Sequence, residues 1–224
     1  MKYPVLFIWG LVLGMGPIFA QQESIANVSL QAVSLGTPPS ETIFVYDGTD
    51  MQPLRVSMTH FHRGIAYAGP NPLTLFAEAG DVPEGELPYR PLTQIQLPEA
   101  ADNVVLLLNT QNDRIRGTAI PLNPERFPMG AFMLLNLSGR DVLMSFGGHP
   151  FRIPSGGSRI TRPNVQERGV IPMAYGFADD EDNISFINGS RLYHPERRYF
   201  VFIYNRDGKV GMRNLTWFPV RDRR

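Results

Sequence analysis

The 224-residue chain contains no cysteine. This absence excludes disulfide bonds, thiolate–metal sites and an anchor attached through a lipid-modified cysteine. Lysine is almost absent too, since only Lys2 and Lys209 are lysines and arginine supplies the rest of the positive charge. The 21 basic residues balance 21 acidic residues. A chain without net charge has no overall field to attract a phosphate backbone, so we expect no nucleic-acid partner.

The common catalytic and cofactor-binding motifs are also missing. The sequence has no G-x-S-x-G elbow, no H-E-x-x-H pair, no P-loop and no G-x-G-x-x-G stretch. Ser145, in MSFGG, precedes its glycines instead of lying between them. We therefore predict a protein that is not an enzyme and that carries no cofactor.

What is present begins with an apolar leader. Residues 1–20 contain Lys2, an apolar run from Val5 to Phe19, and the small residue Ala20. This is the pattern of a secretory signal peptide. The run is shorter than the roughly 20 residues that span a bilayer, so a retained anchor is the weaker alternative. We expect a mature chain that begins at Gln21, has no integral membrane segment, and is exported to the periplasm or the cell exterior.

The rest of the chain has the pattern of an all-β protein. Short extended runs are separated by Gly, Pro, Asn and Asp about every ten residues, and no window keeps a 3.6-residue apolar period. We predict an immunoglobulin-like β-sandwich, with two β units in tandem. The predicted strands lie near 26–35, 42–47, 53–60, 65–69, 73–78, 92–97, 103–109, 115–121, 131–137, 142–147, 150–154, 158–162, 170–177, 184–192, 198–205 and 209–218.

Two of these strands are apolar on both faces. In RYFVFIY and in VVLLL, at 104–108, successive residues are apolar whichever way they point. A strand of this kind is covered on both sides, so both should lie in the middle of the core. Asp207-Gly208 predicts a tight hairpin turn, and NLSGRDVLMSF predicts a looser hairpin around 138–140.

A linker divides the predicted strands into two groups. The stretch AGDVPEGELPYRP, at 79–91, combines prolines, glycines and carboxylates with little to bury. We predict a small β domain at 21–84 and a larger β-sandwich domain at 85–220, or alternatively one continuous structure. Both halves contain a Phe-rich strand followed by an Asp-Gly turn, TIFVYDGTD and FVFIYNRDGKV, which indicates either a duplication or ordinary hairpin sequence.

The stretch THFHRG places two histidines two residues apart. If the strand continues through it, His60 and His62 point to the same side and form half of a zinc or copper site. A third ligand would have to come from His149, from His194 or from a carboxylate. The alternative is that the strand ends at Gly64 and the histidines lie at the rim of the core.

A second candidate site lies in PFRIPSGGSRITRP. Arg152, Arg159 and Arg162 flank the turn Ser155-Gly156-Gly157, and arginine forks suit the anionic groups of an acidic glycan. The alternative is that these arginines only keep an exposed hairpin in contact with water. After the leader, Trp217 is the one tryptophan on which a sugar ring could stack, and it lies in a final strand that resembles an edge strand.

A family resemblance lies in the second half of the chain. The runs ERFPMGAFMLLNLSGRDVLMSFGGHPFRIPSGGS and PERRYFVFIYN resemble uncharacterised secreted β-sandwich proteins of environmental Gram-negative bacteria. The shared features are a Pro-x-Gly turn, a strand ending in Asn136-Leu137-Ser138, and the turn at 154–157. The chain also resembles, more distantly, an immunoglobulin-like envelope protein found alongside type IV pilus components. The resemblance implies a fold and no reaction.

These observations predict an exported, non-enzymatic envelope protein that acts through its surfaces. An envelope protein is the expected partner, and exposed edge strands are natural docking sites for one. The two alternatives are a binding module for an acidic glycan, through Arg152, Arg159 and Arg162, and a metal-binding protein that uses His60 and His62.

Overall fold

The computed structural model describes residues 24–80, 88–111, 114–165, 167–177 and 186–217. Within these ranges the protein is all-β. Its strands are β1 (Ser24–Ser34), β2 (Ile43–Tyr46), β3 (Met51–Leu54), β4 (Val56–Ser57), β5 (Ile65–Asn71), β6 (Leu73–Glu78), β7 (Tyr89–Ile95), β8 (Asn103–Gln111), β9 (Arg114–Pro121), β10 (Phe132–Asn136), β11 (Val142–Phe146), β12 (His149–Ile153), β13 (Ser158–Thr161), β14 (Gly169–Phe177), β15 (Ile187–Tyr193), β16 (Arg198–Arg206) and β17 (Lys209–Trp217).

Apart from small differences at the ends, every predicted strand but one coincides with an observed strand. One prediction was wrong in part, because the strand expected over 53–60 is two short strands, β3 and β4, and ends at Ser57. The turn at Asp207-Gly208 is confirmed, with positive φ at both residues. The predicted signal peptide lies outside the described residues.

The first unit has two sheets that share one apolar cluster. Its inner sheet has the order β4-β1-β8-β9, with β5 also paired to β1, and its outer sheet has the order β3-β2-β6-β7. Alternate residues of β1 and β8 point at the outer sheet, as Leu30 and Leu106 do, and are buried there against Val45 and Leu75. The core of this unit therefore lies between its two sheets.

The second unit is built in the same way. Its inner sheet is β13-β10-β16-β17 and its outer sheet is β12-β11-β14-β15. Phe132 and Val201 of the inner sheet are buried against Met144 and Phe146 of the outer sheet. Phe132 and Phe146 meet edge to face, with ring centroids 4.6 Å apart.

Apart from β4, the strand order and strand directions of the first unit recur in the second. The counterpart of β13, which is antiparallel to β10, is β5, which is antiparallel to β1, whereas β4 is parallel to β1. The central pair of each inner sheet, β1 with β8 and β10 with β16, is parallel, whereas the flanking pairs β8–β9 and β16–β17 are antiparallel. In each outer sheet all pairs are antiparallel and follow the same order. Two copies of one topology therefore make up the described chain.

Hydrogen bonds outside the strands repeat as well. After β1, the Leu35 amide donates to the Leu108 carbonyl at 2.7 Å; after β10, the Leu137 amide donates to the Ile203 carbonyl at 2.7 Å. The Phe-rich segments that hinted at duplication in the sequence are β2 and β16, which do not occupy equivalent places in the two copies. The duplication is therefore seen in the topology, and the similarity between the two Phe-rich segments does not correspond to it.

The two inner sheets pack face to face and join the units. The side chains of β8 and β16 that point away from their own cores, Val105 and Leu107 with Phe200 and Phe202, belong to one buried cluster. Val33, Leu215 and Trp217 complete it from the neighbouring strands. The prediction that RYFVFIY and VVLLL are covered on both faces is confirmed, because one face meets its own unit and the other meets the second unit.

Polar groups also cross this interface. Trp217 Nε1 donates a hydrogen bond to the Gln31 side-chain oxygen, and both residues are buried. Trp217 lies on a strand that ends its sheet, yet its ring is buried in the cluster between the two units. Arg198 is also buried, with Nε donating to the Phe127 carbonyl at 2.6 Å and the guanidinium 4.8 Å from the Trp217 ring centre.

Strand pairing groups residues 24–121 into the first unit. The predicted boundary at 84/85 falls between β6 and β7, which are paired in one sheet. The Ala79 amide donates to the Pro88 carbonyl at 2.8 Å, so the stretch expected to be a linker connects neighbouring strands. Residues 81–87 of that stretch lie outside the described part of the chain.

The connection at 138–140 also differs from the prediction. It joins β10 of the inner sheet to β11 of the outer sheet, and these two strands are not paired. The expected hairpin is therefore wrong, because the turn carries the chain from one layer to the other. Among the described residues, no helix is long and apolar enough to cross a membrane.

Candidate functional site

A cleft of about 500 Å³ opens where the two units meet. It lies at the carboxyl ends of the parallel strands β1, β8, β10 and β16, and both units contribute to its walls. Its lining residues are Leu35, Gly36, Thr37, Met58, Asn109, Gln111, Leu137, Phe202, Tyr204 and Arg213. The volume lies within the range of roughly 300–1,000 Å³ that is usual for ligand pockets.

Apolar side chains remain accessible at this cleft. Leu137, which follows β10, is 42% exposed, and Met58 in the loop after β4 is 36% exposed. The Tyr204 ring lies across Gly211, where an added Cβ would be 2.4 Å from the ring. Phe202 is buried and forms the floor with the interface cluster. The walls therefore offer apolar contact from both units.

Arg213 supplies the positive charge of the cleft. Its Nη2 donates to the Ser34 carbonyl at 2.7 Å and to the Leu35 carbonyl at 3.1 Å, so a side chain of the second unit is fixed to the first. Its guanidinium carbon lies 5.2 Å from the centre of the Phe202 ring. Burial lowers the pKa of Arg213 from its ordinary value. Nε is buried without a hydrogen-bond partner.

Within the described ranges no carboxylate pairs with Arg213. The guanidinium is held in place by two neutral carbonyl oxygens, which orient it but do not neutralise its charge. A partly buried cation without a counter-ion is costly, and an anion that enters the cleft offsets that cost. The cleft can therefore bind a molecule that combines apolar groups with one negative charge.

Two other clefts lie within the first unit alone. One, of about 340 Å³, is lined by Glu41, Arg55 and His62 among others, and Glu41 already pairs with Arg90 at 2.5 Å. The other, of about 570 Å³, is lined by polar residues such as Asn27 and Asp102. The cleft at Arg213 differs in joining both units and in combining accessible apolar walls with a cation that no carboxylate balances.

The structure brings the two predicted histidines together, in a loop and not on a strand. The rings of His60 and His62 meet edge to face with centroids 4.4 Å apart. His60 Nδ1 lies 3.2 Å from Ser57 Oγ and 3.1 Å from Thr59 Oγ1. Phe61, between the histidines, packs on Phe200 of the second unit with ring centroids 5.3 Å apart.

No third ligand joins the histidine pair among the described residues, which contain no group of three or more His, Cys, Asp or Glu suited to a metal. His149 lies on β12 and His194 follows β15, both in the second unit. Burial, and then the nearby charges of His60 and Arg55, lower the pKa of His62. The Gln31 side chain donates to the His62 carbonyl at 2.7 Å and ties this loop to β1.

The three predicted arginines have separate surroundings. Arg152 forms an ion pair with Asp141, whose pKa is lowered first by the Ser155 amide and then by Arg152. Arg159 lies over the Phe151 ring, 4.4 Å from its centre. Arg162 follows the far end of β13, beside Gly130. Among these described contacts, none joins the three into one anion site.

Arg213 was missed by sequence reasoning. It lies in a strand with the character of an edge, where an arginine is ordinarily solvated. A signal was present, since in period two Arg213 shares a face with Leu215 and Trp217, and two large apolar residues on one face indicate that the face is covered. The sequence placed Leu137 only at the end of the strand that finishes in Asn136-Leu137-Ser138.

Comparison of the chain with models of known protein families gives no match, and comparison with curated proteins gives no significant match. The geometry of the cleft is therefore the feature that indicates a function.

Proposed function

We propose that this protein is an exported, non-enzymatic protein of the bacterial envelope that binds a partner protein in the cleft between its two β units. The observation that carries the proposal is the cleft itself, with accessible Leu137 and Met58 from different units beside Arg213. Apolar anchors surrounded by polar groups are the usual composition of a protein-binding site. The apolar leader at 1–20 supports export.

The fold suits such a role. The buried cluster between the inner sheets and the bonds from Arg213 to Ser34 and Leu35 hold the cleft in a fixed shape. A preformed site loses little conformational entropy when a partner binds. Each unit is, in this proposal, immunoglobulin-like, which the two facing sheets of four or five strands support.

Site-specific photo-crosslinking in the native host tests the proposal. A photoreactive amino acid is placed at Leu137 in the cleft or at Leu192, which is 55% exposed on the outer sheet of the second unit. We expect a discrete covalent adduct with an envelope protein from position 137 and none from position 192. The adduct should become at least several-fold weaker when Met58→Asp is added, because a charge then replaces an apolar wall.

Other outcomes of this experiment contradict the proposal. Adducts from position 192 alone would move the interaction to the outer sheet. Absence of an adduct at position 137, with the protein folded and recovered from the periplasmic fraction, would remove the cleft from consideration.

A further inference from the structure

The charge distribution in the cleft specifies what kind of group it binds. Among the described residues that line the cleft, Arg213 alone is charged, and none of the described carboxylates pairs with its guanidinium. The two carbonyl oxygens that hold Nη2 lie on the first unit, so the guanidinium position is fixed from both sides of the cleft. Because Nη2 is bonded to these carbonyls and Nε is buried, Nη1 is the donor left to meet an anion in the cleft.

The anion must be accompanied by apolar groups. Leu35, Met58 and Leu137 lie around the same space as Arg213, and Phe202 lies under the guanidinium. A sulfated or uronic sugar carries hydroxyl groups on every side, and those that face Leu35, Met58 and Leu137 would lose their hydrogen bonds, which is unfavourable. In an internal Asp or Glu the carboxylate is itself the side chain, so that residue has no apolar side chain of its own to offer.

We infer that the cleft captures the carboxyl-terminal end of an extended protein segment, with the terminal carboxylate on Arg213 and an apolar last side chain between Leu35 and Leu137. This inference rests on the proposed function and names the ligand chemistry of the same site. A chain terminus presents a carboxylate directly beside a side chain, which is the combination that the walls require. Arginine binds carboxylates through charge-assisted hydrogen bonds.

The remaining polar residues of the cleft fit a peptide backbone. Asn109 and Gln111, at the end of β8, and Thr37, after β1, each carry a donor and an acceptor at the cleft wall. These groups can bond the amides that precede the terminal residue without selecting side chains. The last residue and its carboxylate therefore determine specificity.

The test uses synthetic hexapeptides of sequence Gly-Ser-Gly-Ala-Ala-X, with X as Leu, Ile, Val, Met or Phe, each made with a free carboxyl end and as the amide. Binding to the protein from Gln21 onward is measured by fluorescence polarisation. We expect the best free acid to bind at least tenfold more tightly than its amide. In Arg213→Gln that preference should fall to about twofold or less, whereas Arg159→Gln should keep it.

Two controls test whether the variants fold. Arg213→Lys keeps the charge, and the fluorescence of Trp217, which is buried in the same interface, reports folding. The lysine variant should retain part of the preference for the acid. If it loses the preference as completely as the glutamine variant, the side chain acts as a structural tie and the inference fails.

Equal binding of acids and amides would overturn the inference but leave partner binding in the cleft intact. Binding of none of the acids, or binding of laurate in their place, would also overturn it, the latter in favour of a lipid carboxylate. The crosslinking experiment at Leu137 does not use these peptides. A failure of the proposed function would therefore appear there, separately from a failure of this inference.

Discussion

The side chain of Asn136 ties together two turns that are distant in sequence. It is buried, and its Nδ2 lies within hydrogen-bond distance of the carbonyls of Arg140, Ile153 and Pro154. Its Oδ1 accepts from the amide and the hydroxyl of Ser138. One amide therefore satisfies groups from the β10–β11 connection and the turn after β12, at the end of the unit where Leu137 enters the cleft.

We expect Asn136→Ala to lower the free energy of unfolding by about 2–4 kcal/mol, because three carbonyls each lose a hydrogen bond from Nδ2 and the Ser138 amide loses its acceptor. Asn136→Asp should be at least as damaging, since it places oxygen against those carbonyls. Urea denaturation measures both. Asn188→Ala, at an exposed position of β15, should change stability by about 0.5 kcal/mol or less. Equal effects at the two asparagines would contradict this account.

Part of this arrangement is readable in the sequence. An Asn that precedes Leu-Ser-Gly commonly bonds its own turn, as Asn136 does with Ser138. The bonds to Ile153 and Pro154 are not predictable, since they depend on two layer-crossing turns meeting at one end of the unit. The contacts of Arg213 are not predictable for the same reason, because its partners Ser34 and Leu35 lie at the other end of the chain.

The loop at 58–64 is positioned by the interface and not by strand pairing. Phe61 packs on Phe200, and Gln31 holds the His62 carbonyl while it accepts from Trp217. The period-two pattern of the sequence extends a strand through the histidines, but the loop leaves the sheet after Ser57 because its aromatic residue is drawn to the second unit. His60 and His62, on either side of Phe61, lie against each other.

This loop should make stability depend on pH. The pKa of His62 is lower in the folded protein than its ordinary value of 6.5, so near that pH the unfolded chain binds more protons. The free energy of unfolding therefore falls as the pH drops through about 6.5, and the loss is complete below the folded pKa. Urea midpoints from pH 8 to 5 should fall more steeply for the natural protein than for His62→Gln.

A comparison variant, His149→Gln, changes an exposed histidine on β12 and should keep the slope of the natural protein. Parallel pH profiles for the natural protein and His62→Gln would show that the loop does not carry this dependence.

Strand positions follow closely from the sequence, whereas strand partners do not. Turn residues and alternation locate β6 at Leu73–Glu78 as predicted. Pairing is different, because β1 lies beside β8 across some seventy intervening residues, and nothing local records that contact. The assumption that neighbours in sequence form hairpins gave the wrong pairing at 138–140, where the chain changes layer.

Across the molecule, four layers of sheet form two copies of one topology joined through their inner faces. The faces that meet are equivalent ones, since Val105 and Leu107 of β8 occupy the same places in their unit as Phe200 and Phe202 of β16. This is why both strands are apolar on two sides in the sequence. That signal located the centre of the molecule correctly, but it did not reveal that two cores lie on either side of an interface.

The buried interface should make the two units unfold together, because relative motion of domains is suppressed when their contact is apolar and extensive. Phe200 lies at its centre, with ring centroids 5.3 Å from Phe61 and 5.2 Å from Phe127. Phe200→Ala should lower the free energy of unfolding by about 3–5 kcal/mol.

In a chain that begins at Gln21, Trp217 is the sole tryptophan, so its fluorescence reports the interface while far-UV circular dichroism reports all the sheets. The two urea transitions should coincide in the natural protein and in Phe44→Ala, which alters the outer face of the first unit. In Phe200→Ala the fluorescence transition should come first, because the units separate before their sheets unfold; transitions that still coincide at an unchanged midpoint would show that the units are not held together by this cluster.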